Sequence, residues 1–267
     1  MVFEETDERF HDRVAAVRRD DGVAWVVTER GDRPINAFDA RTVEAMTEAV
    51  ESVADADCVV LCGEGEFSVG ADLRHVADRP AGERPETIDA IAAASNRLIR
   101  TVRGTEAPVV AAVAGTAAGG GLGFALSCDL LAVHEGATLD PAYARIALTS
   151  DNATPFFLAR ALGPYRARDL LLNPEPLSAA EARDLGLATT TYGGTEAEFY
   201  AAVQEYTASV AAYPRGVQQA TKALVDSAYG ESLGDHLERE RAAVRRASEA
   251  DAFEEGLAAF LEGRDPE

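Results

Sequence analysis

Residues 107–128 read APVVAAVAGTAAGGGLGFALSC, a run of 22 positions without a charge. That is long enough to be weighed as a membrane span. Its centre argues otherwise. Gly119-Gly120-Gly121-Leu122-Gly123 holds too much glycine to continue a helix from Pro108, and Asp129 follows at once. A buried strand at 109–114, a glycine turn and a buried helix at 122–127 account for the run better.

The same alternation extends on both sides. Residues 23–28 are rich in Val and Trp and read as a strand. Residues 39–54 read as a helix: Asp39 is a candidate cap, and Val43, Met46, Val50 and Val53 recur at three- and four-residue steps. A short apolar strand is expected at 58–62 and a turn-rich loop at 63–70. A second helix is expected at 88–102, with Ile91, Leu98 and Ile99 inward, and a strand at 130–134. Strands alternating with helices predict an α/β fold with a largely parallel sheet. Beyond residue 155 the pattern becomes helical, at 156–162 and 166–172. Ser178 and Glu181 then form a capping-box pair, and a short strand is expected near 187–192. Residues 195–260 are helical almost throughout, with breaks at Pro214 and near 230–234.

Composition limits the function. Subtracting 46 acidic from 25 basic residues leaves a net charge of −21, which excludes the basic surface that nucleic-acid binding needs. It also opposes docking on an anionic membrane. The acids are spread along the chain, and Lys222 is the only lysine. Such self-repulsion is tolerated where salt screens it, so a halophilic cytoplasm is the expected setting. Cys58, Cys62 and Cys128 are odd in number and lack metal-ligand spacing, which fits reduced, buried thiols and no bound metal.

Few catalytic patterns are present. Ser68 has Gly70 after it, but Glu66 stands where a nucleophile elbow needs glycine. No Walker sequence occurs, and Leu126 interrupts the dinucleotide-binding frame. His11, His75, His134 and His236 are scattered without an evident triad partner. Two loops remain. Gly119–Gly121 joins a buried strand to a helix, where N–H groups are free to meet negative charge. Phe67-Ser68-Val69-Gly70-Ala71-Asp72-Leu73 is a second loop of small residues. Together they have the makings of an oxyanion hole, although spacing alone does not bring them together.

Five pieces in order carry a resemblance. They are Arg33-Pro34-Ile35-Asn36-Ala37-Phe38, the 67–73 loop, residues 108–115, residues 118–123 followed by Cys128-Asp129, and Phe260-Leu261-Glu262-Gly263-Arg264. Over nearly its whole length the chain resembles the enoyl-CoA hydratase/isomerase (crotonase) superfamily. The resemblance implies a crotonase-like spiral of ββα repeats over 1–195 that carries an acyl-CoA site. It also implies a C-terminal helical region over 196–267 that builds a homotrimer or a dimer of trimers. The two oxyanion donors would be the N–H groups of Ala71 and Gly120, holding the carbonyl of an acyl-CoA thioester. CoA enters as part of that substrate, and no separate cofactor is implied.

The departures from that pattern are informative. Two hydratase glutamates would fall on Gly123 and Tyr143, and neither is an acid. An acid does occur at Asp151, within Ile146-Ala147-Leu148-Thr149-Ser150-Asp151-Asn152-Ala153-Thr154. That position resembles the carboxylate of 3,2-enoyl-CoA and epoxyphenylacetyl-CoA isomerases. The same stretch is similar to 4-chlorobenzoyl-CoA dehalogenase, where the Asp is a nucleophile paired with a His and a Trp that align with Asn96 and Tyr143. Asp151 has a second reading, as the cap of a helix starting near Asn152. Asn96, Tyr143, Gly121, Asp72 and Arg74 are the expected substrate-binding residues, with Arg74 or Lys222 a candidate for a CoA phosphate. Double-bond isomerisation by one carboxylate is the expected reaction. A dehalogenase-like or thioesterase-like hydrolase and a non-catalytic CoA-binding trimer are the alternatives.

Overall fold

The computed structural model describes residues 7–264. The chain divides into two compact units, one ending at Val210 and one beginning at Ala211. In the first unit the strands are β1 (Glu8–His11), β2 (Val14–Arg18), β3 (Val23–Thr28), β4 (Cys58–Gly63), β5 (Val109–Val113), β6 (Thr116–Ala118), β7 (Leu130–His134), β8 (Thr138–Asp140), β9 (Leu177–Ser178) and β10 (Thr190–Tyr192). Its helices are α1 (Ala40–Ser52), α2 (Leu73–Ala77), α3 (Arg84–Gly104), α4 (Gly120–Ser127), α5 (Thr154–Leu172), α6 (Ala179–Asp184) and α7 (Glu196–Ala211), with a 3-10 turn at Ala142–Ile146.

Among the described residues, seven strands form one sheet in the order β1-β2-β3-β4-β5-β7-β10. From β3 to β10 every pairing is parallel. Each central strand is apolar on both faces, as a strand covered on both sides must be; β4 and β5 are buried at every residue. A second layer consists of β6, β8 and β9, extended by isolated parallel bridges between Phe38 and Ala71 and between Ser68 and Ala117. Each turn of the chain therefore lays a strand in the large sheet, an extended segment in the second layer, and then a helix. This is a spiral of ββα repeats. The segment between β4 and α3 belongs to the second turn, and the segment between β5 and α4 to the third, so the two candidate loops are neighbours in the second layer.

Local sequence explains the elements. Asp39 caps α1 by accepting the Thr42 N–H at 2.9 Å, and Val43, Met46 and Val50 are buried beneath it. Ser178 and Glu181 form the expected reciprocal capping box at α6. Gly163, at φ 75° and ψ 164°, breaks α5 where the sequence separates two helices. The run 107–128 resolves into β5, β6 and α4, and among the described residues no helix is long and apolar enough to cross a membrane.

Several elements differ from expectation. β6 and β8 are three residues each and carry too few side chains to show a period. The strand expected near 187–192 is confined to Thr190–Tyr192. Helix α7, expected in the C-terminal region, lies within the first unit except for its last residue, Ala211. Its Tyr200 hydroxyl donates to the Gly63 carbonyl at 2.8 Å, and its Gln204 accepts from Trp25 Nε1 at 2.7 Å. The second unit holds α8 (Arg215–Ser227), α9 (Leu233–Ala247) and α10 (Asp251–Glu262), with α8 packed on α9.

Candidate active site

The second layer fixes the two candidate donors by register. Ser68 pairs with Ala117: its N–H donates to the Thr116 carbonyl at 3.0 Å, and its carbonyl accepts the Ala118 N–H at 2.8 Å. Three residues further along both segments stand Ala71 and Gly120. Phe38 bridges Ala71 from the other side, donating to Gly70 O at 3.0 Å and accepting from Asp72 N at 2.7 Å. In a parallel bridge of this kind the bonds belong to Phe38, and the Ala71 N–H points away from it. Gly120 opens α4, where an N–H has no helical acceptor. Neither N–H is bonded to a described residue. The loops touch closely: a Cβ on Gly70 would lie 3.3 Å from Gly120 N.

Glycine is required at two points here. Gly119 turns the chain into α4 at φ 50° and ψ −121°, a conformation that suits glycine. Gly121 lies against the first loop, where a Cβ would sit 2.2 Å from the Ser68 carbonyl oxygen. Gly121 is buried, and its lack of a side chain serves this approach.

Asp72 and Asn36 hold the first loop. Asp72 caps α2, accepting from Arg74 N at 3.0 Å and His75 N at 3.1 Å, and it pairs with Arg33 at 3.0 Å. Its carboxylate is thus spent on fixing the chain beside Ala71. The Arg74 side chain is exposed just beyond. Asn36, 1% exposed, donates to Thr28 O and Glu66 O and accepts from Arg13 at 3.0 Å. The Arg13–Asn36 contact was not foreseeable, because it joins residues 23 apart on separate elements.

The acid at 151 is not a helix cap. Helix α5 starts at Thr154, its cap position is Ala153, and no side chain caps it. Asn152 and Ala153 are both left-handed, at φ 49° and 55°. The Asp151 side chain turns instead to Tyr143, whose hydroxyl donates to Oδ1 at 2.5 Å. Tyr143 is 7% exposed, and burial together with the Asp151 charge pushes its phenol pKa far up, so it stays protonated. Asp151 keeps an exposed surface, but burial of its carboxyl is the leading influence and raises its pKa above the usual carboxylate value. The Tyr143 hydrogen bond and its own backbone N–H act against that rise.

Behind Asp151 the chain packs directly on α4. A Cβ on Gly123 would meet Asn152 O at 2.4 Å and Thr154 Oγ1 at 2.9 Å. A Cβ on Gly120 would meet Asn152 Nδ2 at 2.4 Å. Asn152 is 3% exposed, and its Oδ1 has no hydrogen-bond partner among the described residues. Asn152 therefore stands between the Gly119–Gly121 turn and Asp151, a place that its left-handed backbone and not its sequence neighbours disclose. Asn96 is exposed on α3, and no hydrogen bond joins it to Asp151 or Tyr143. A separate cleft of about 930 Å³ beside Trp25, Val27 and Tyr200 includes none of these residues.

Two backbone donors on adjoining turns, with a carboxylate on the neighbouring loop, suit a carbonyl that gains negative charge while a nearby proton moves. The sequence pattern that defines the enoyl-CoA hydratase/isomerase family matches residues 19–267. The chain belongs to this family. It is 33% identical to a 4-chlorobenzoyl coenzyme A dehalogenase of Arthrobacter sp over 253 residues, covering 93% of this chain and 91% of that one. It is 28% identical to the 1,2-epoxyphenylacetyl-CoA isomerase of Escherichia coli K12, over 92% of this chain and 94% of the other. The crystal structure of an enoyl-CoA hydratase from Polaromonas sp. JS666 superposes with a TM-score of 0.86 at 26% identity, over 95% of this chain and 98% of that one. The fold is accordingly that of the enoyl-CoA hydratases, and the chain is an acyl-CoA enzyme.

Proposed function

We propose that this family member shifts a double bond in an acyl-CoA thioester. The thioester oxygen is held by the N–H groups of Ala71 and Gly120, each donor stabilising the developing oxyanion by about 3–4 kcal/mol. Asp151 takes a proton from one carbon of the acyl chain; that C–H bond's electrons pass into the thioester enolate. The enolate then collapses and collects the proton from Asp151 at a second carbon. One carboxylate serves both half-steps, and its raised pKa brings it nearer the working range of a general base and acid. No cofactor is needed beyond the CoA of the substrate.

The observation that carries this reading is the Asp151–Thr154 turn over Gly123. It presents one acid and fills the space into which a side chain at 123 would grow. Hydration, which needs a second group to orient water, is left without one. The test is mass spectrometry of 3-enoyl, 2-enoyl and arylacyl thioesters incubated in heavy water at high salt. Deuterium uptake with a moved double bond, lost by a factor of about 100–10,000 in Asp151→Asn, is expected. Undiminished uptake in Asp151→Asn overturns the assignment.

The 33% identity to the dehalogenase favours a second reading, with Asp151 as nucleophile or water activator. Release of halide or free CoA without deuterium uptake would select it. On either reading the C-terminal helices are proposed to serve a homotrimer or dimer of trimers, which sedimentation at high salt reads directly.

A further inference from the structure

We propose that Tyr143 is a positioning residue: its hydroxyl clamps Oδ1 of Asp151 and leaves Oδ2 as the oxygen that takes and returns the proton. The inference rests on the isomerase reading for the proton's route, and on geometry alone for the clamp. Tyr143 is buried on the 3-10 turn Ala142–Ile146, so its ring cannot follow a wandering carboxylate. The turn closes on Ala147 at φ 57°, and the Leu148 N–H donates back to the Tyr143 carbonyl at 3.3 Å. Two further left-handed residues, Asn152 and Ala153, carry Asp151 away from the end of α5. The Asp151 backbone carbonyl accepts the Thr154 N–H at 3.0 Å. Backbone on both sides thus fixes where the carboxyl starts, and the 2.5 Å contact with Tyr143 fixes how it is turned.

The bond is also the larger of the two influences that oppose burial in setting how basic Asp151 is. Helix α4, packed against α5, carries no ionisable side chain. On the 3-10 turn, Arg145 is taken by Asp140 at 2.6 Å and the Pro174 carbonyl at 2.9 Å. On α5 itself Arg160 lies over the Phe156 ring and Arg166 pairs with Asp169. Among the described residues no charged side chain contributes to the shift of Asp151, which comes from burial, Tyr143 and the residue's own backbone. A phenol that stays protonated always donates, and a donor favours the ionised carboxylate. Tyr143 keeps the base available after burial has made it stronger.

The experiment is a carbon-13 carboxyl titration of the CoA-free protein at high salt, with the Asp151 signal assigned by its loss in Asp151→Asn. Tyr143→Phe is expected to move the titration of Asp151 upward by about one pH unit. Placing 3-fluorotyrosine at 143 alone keeps the ring and strengthens the donor, and is expected to move it downward. The acidic limb of the deuterium-exchange profile should move with each. An Asp151 titration that ignores both changes overturns the clamp. Titrations that move as expected, with no exchange on any thioester, would leave the clamp standing and remove the isomerase.

Discussion

Gly123→Ala adds one methyl group at the back of the proposed catalytic loop. Its Cβ would stand 2.4 Å from Asn152 O, 2.6 Å from Asn152 Cβ and 2.9 Å from Thr154 Oγ1. Ordinary carbon contacts begin near 3.5 Å, so the turn must retreat by about 1 Å. Two of the three atoms belong to a residue held left-handed, which cannot yield by a side-chain rotation alone. Overpacking of this kind costs about 1–3 kcal/mol. At about 2–4 °C per kcal/mol for a unit of this size, Tm falls measurably. The larger effect is on turnover, because a 1 Å misplacement of a catalytic group costs about 100-fold. Gly104→Ala is the control: the same methyl group there meets nothing within 4 Å. Thermal unfolding and deuterium exchange would be measured on both. If Gly123→Ala matches Gly104→Ala in stability and in rate, the turn is not pinned on α4 and the reasoning fails.

Asp151→Asn should raise Tm at neutral pH while abolishing exchange. Burial raises this carboxyl above its unfolded value, so its contribution to stability is full at low pH and lost as pH rises through the folded pKa; removing the charge relieves that cost, while Asn still accepts from Tyr143. Asp39 has the opposite sign. Burial pushes its carboxyl up, but the Thr42 N–H and hydroxyl, with Arg33, outweigh that and hold it below the usual value. Its contribution is present above the unfolded pKa and lost as pH falls through the folded one. Asp39→Ala should therefore cost about 1 kcal/mol at neutral pH and little in strong acid, as measured by denaturant unfolding. Cys58 and Cys62 should resist a thiol reagent until the chain unfolds, since burial pushes Cys58 up to about 12 and Cys62 further; rapid labelling of the native protein would contradict their burial.

The large sheet was legible because its strands are continuous apolar runs bounded by turn residues. Val23–Thr28 stands where the composition places it. The second layer was not legible, because its strands are short and single-residue bridges carry part of it. Yet the second layer sets the register that puts Ala71 beside Gly120, so the meeting of the loops came from the family resemblance and not from the pattern. For Asp151 the sequence left capping and chemistry open, and two left-handed residues decide against the cap. The partner of Asp151 is eight residues away on a 3-10 turn, a spacing with no side-chain periodicity to betray it.

The presence of an acid at 151 and the absence of one at 123 are a single structural event. The proposed oxyanion donors are backbone groups placed by register, so they tolerate wide change in the surrounding side chains. The acid depends on what crosses above α4. Here the crossing segment is Asp151–Asn152–Ala153–Thr154, and its own carbonyl occupies the first position a side chain on Gly123 would take. A glutamate at 123 would have to displace the turn that presents Asp151. On the proposed reading the two acids compete for one place. Gly123→Glu should then lose isomerisation without gaining hydration, and a variant that gains hydration while keeping Asp151 in place would break the argument.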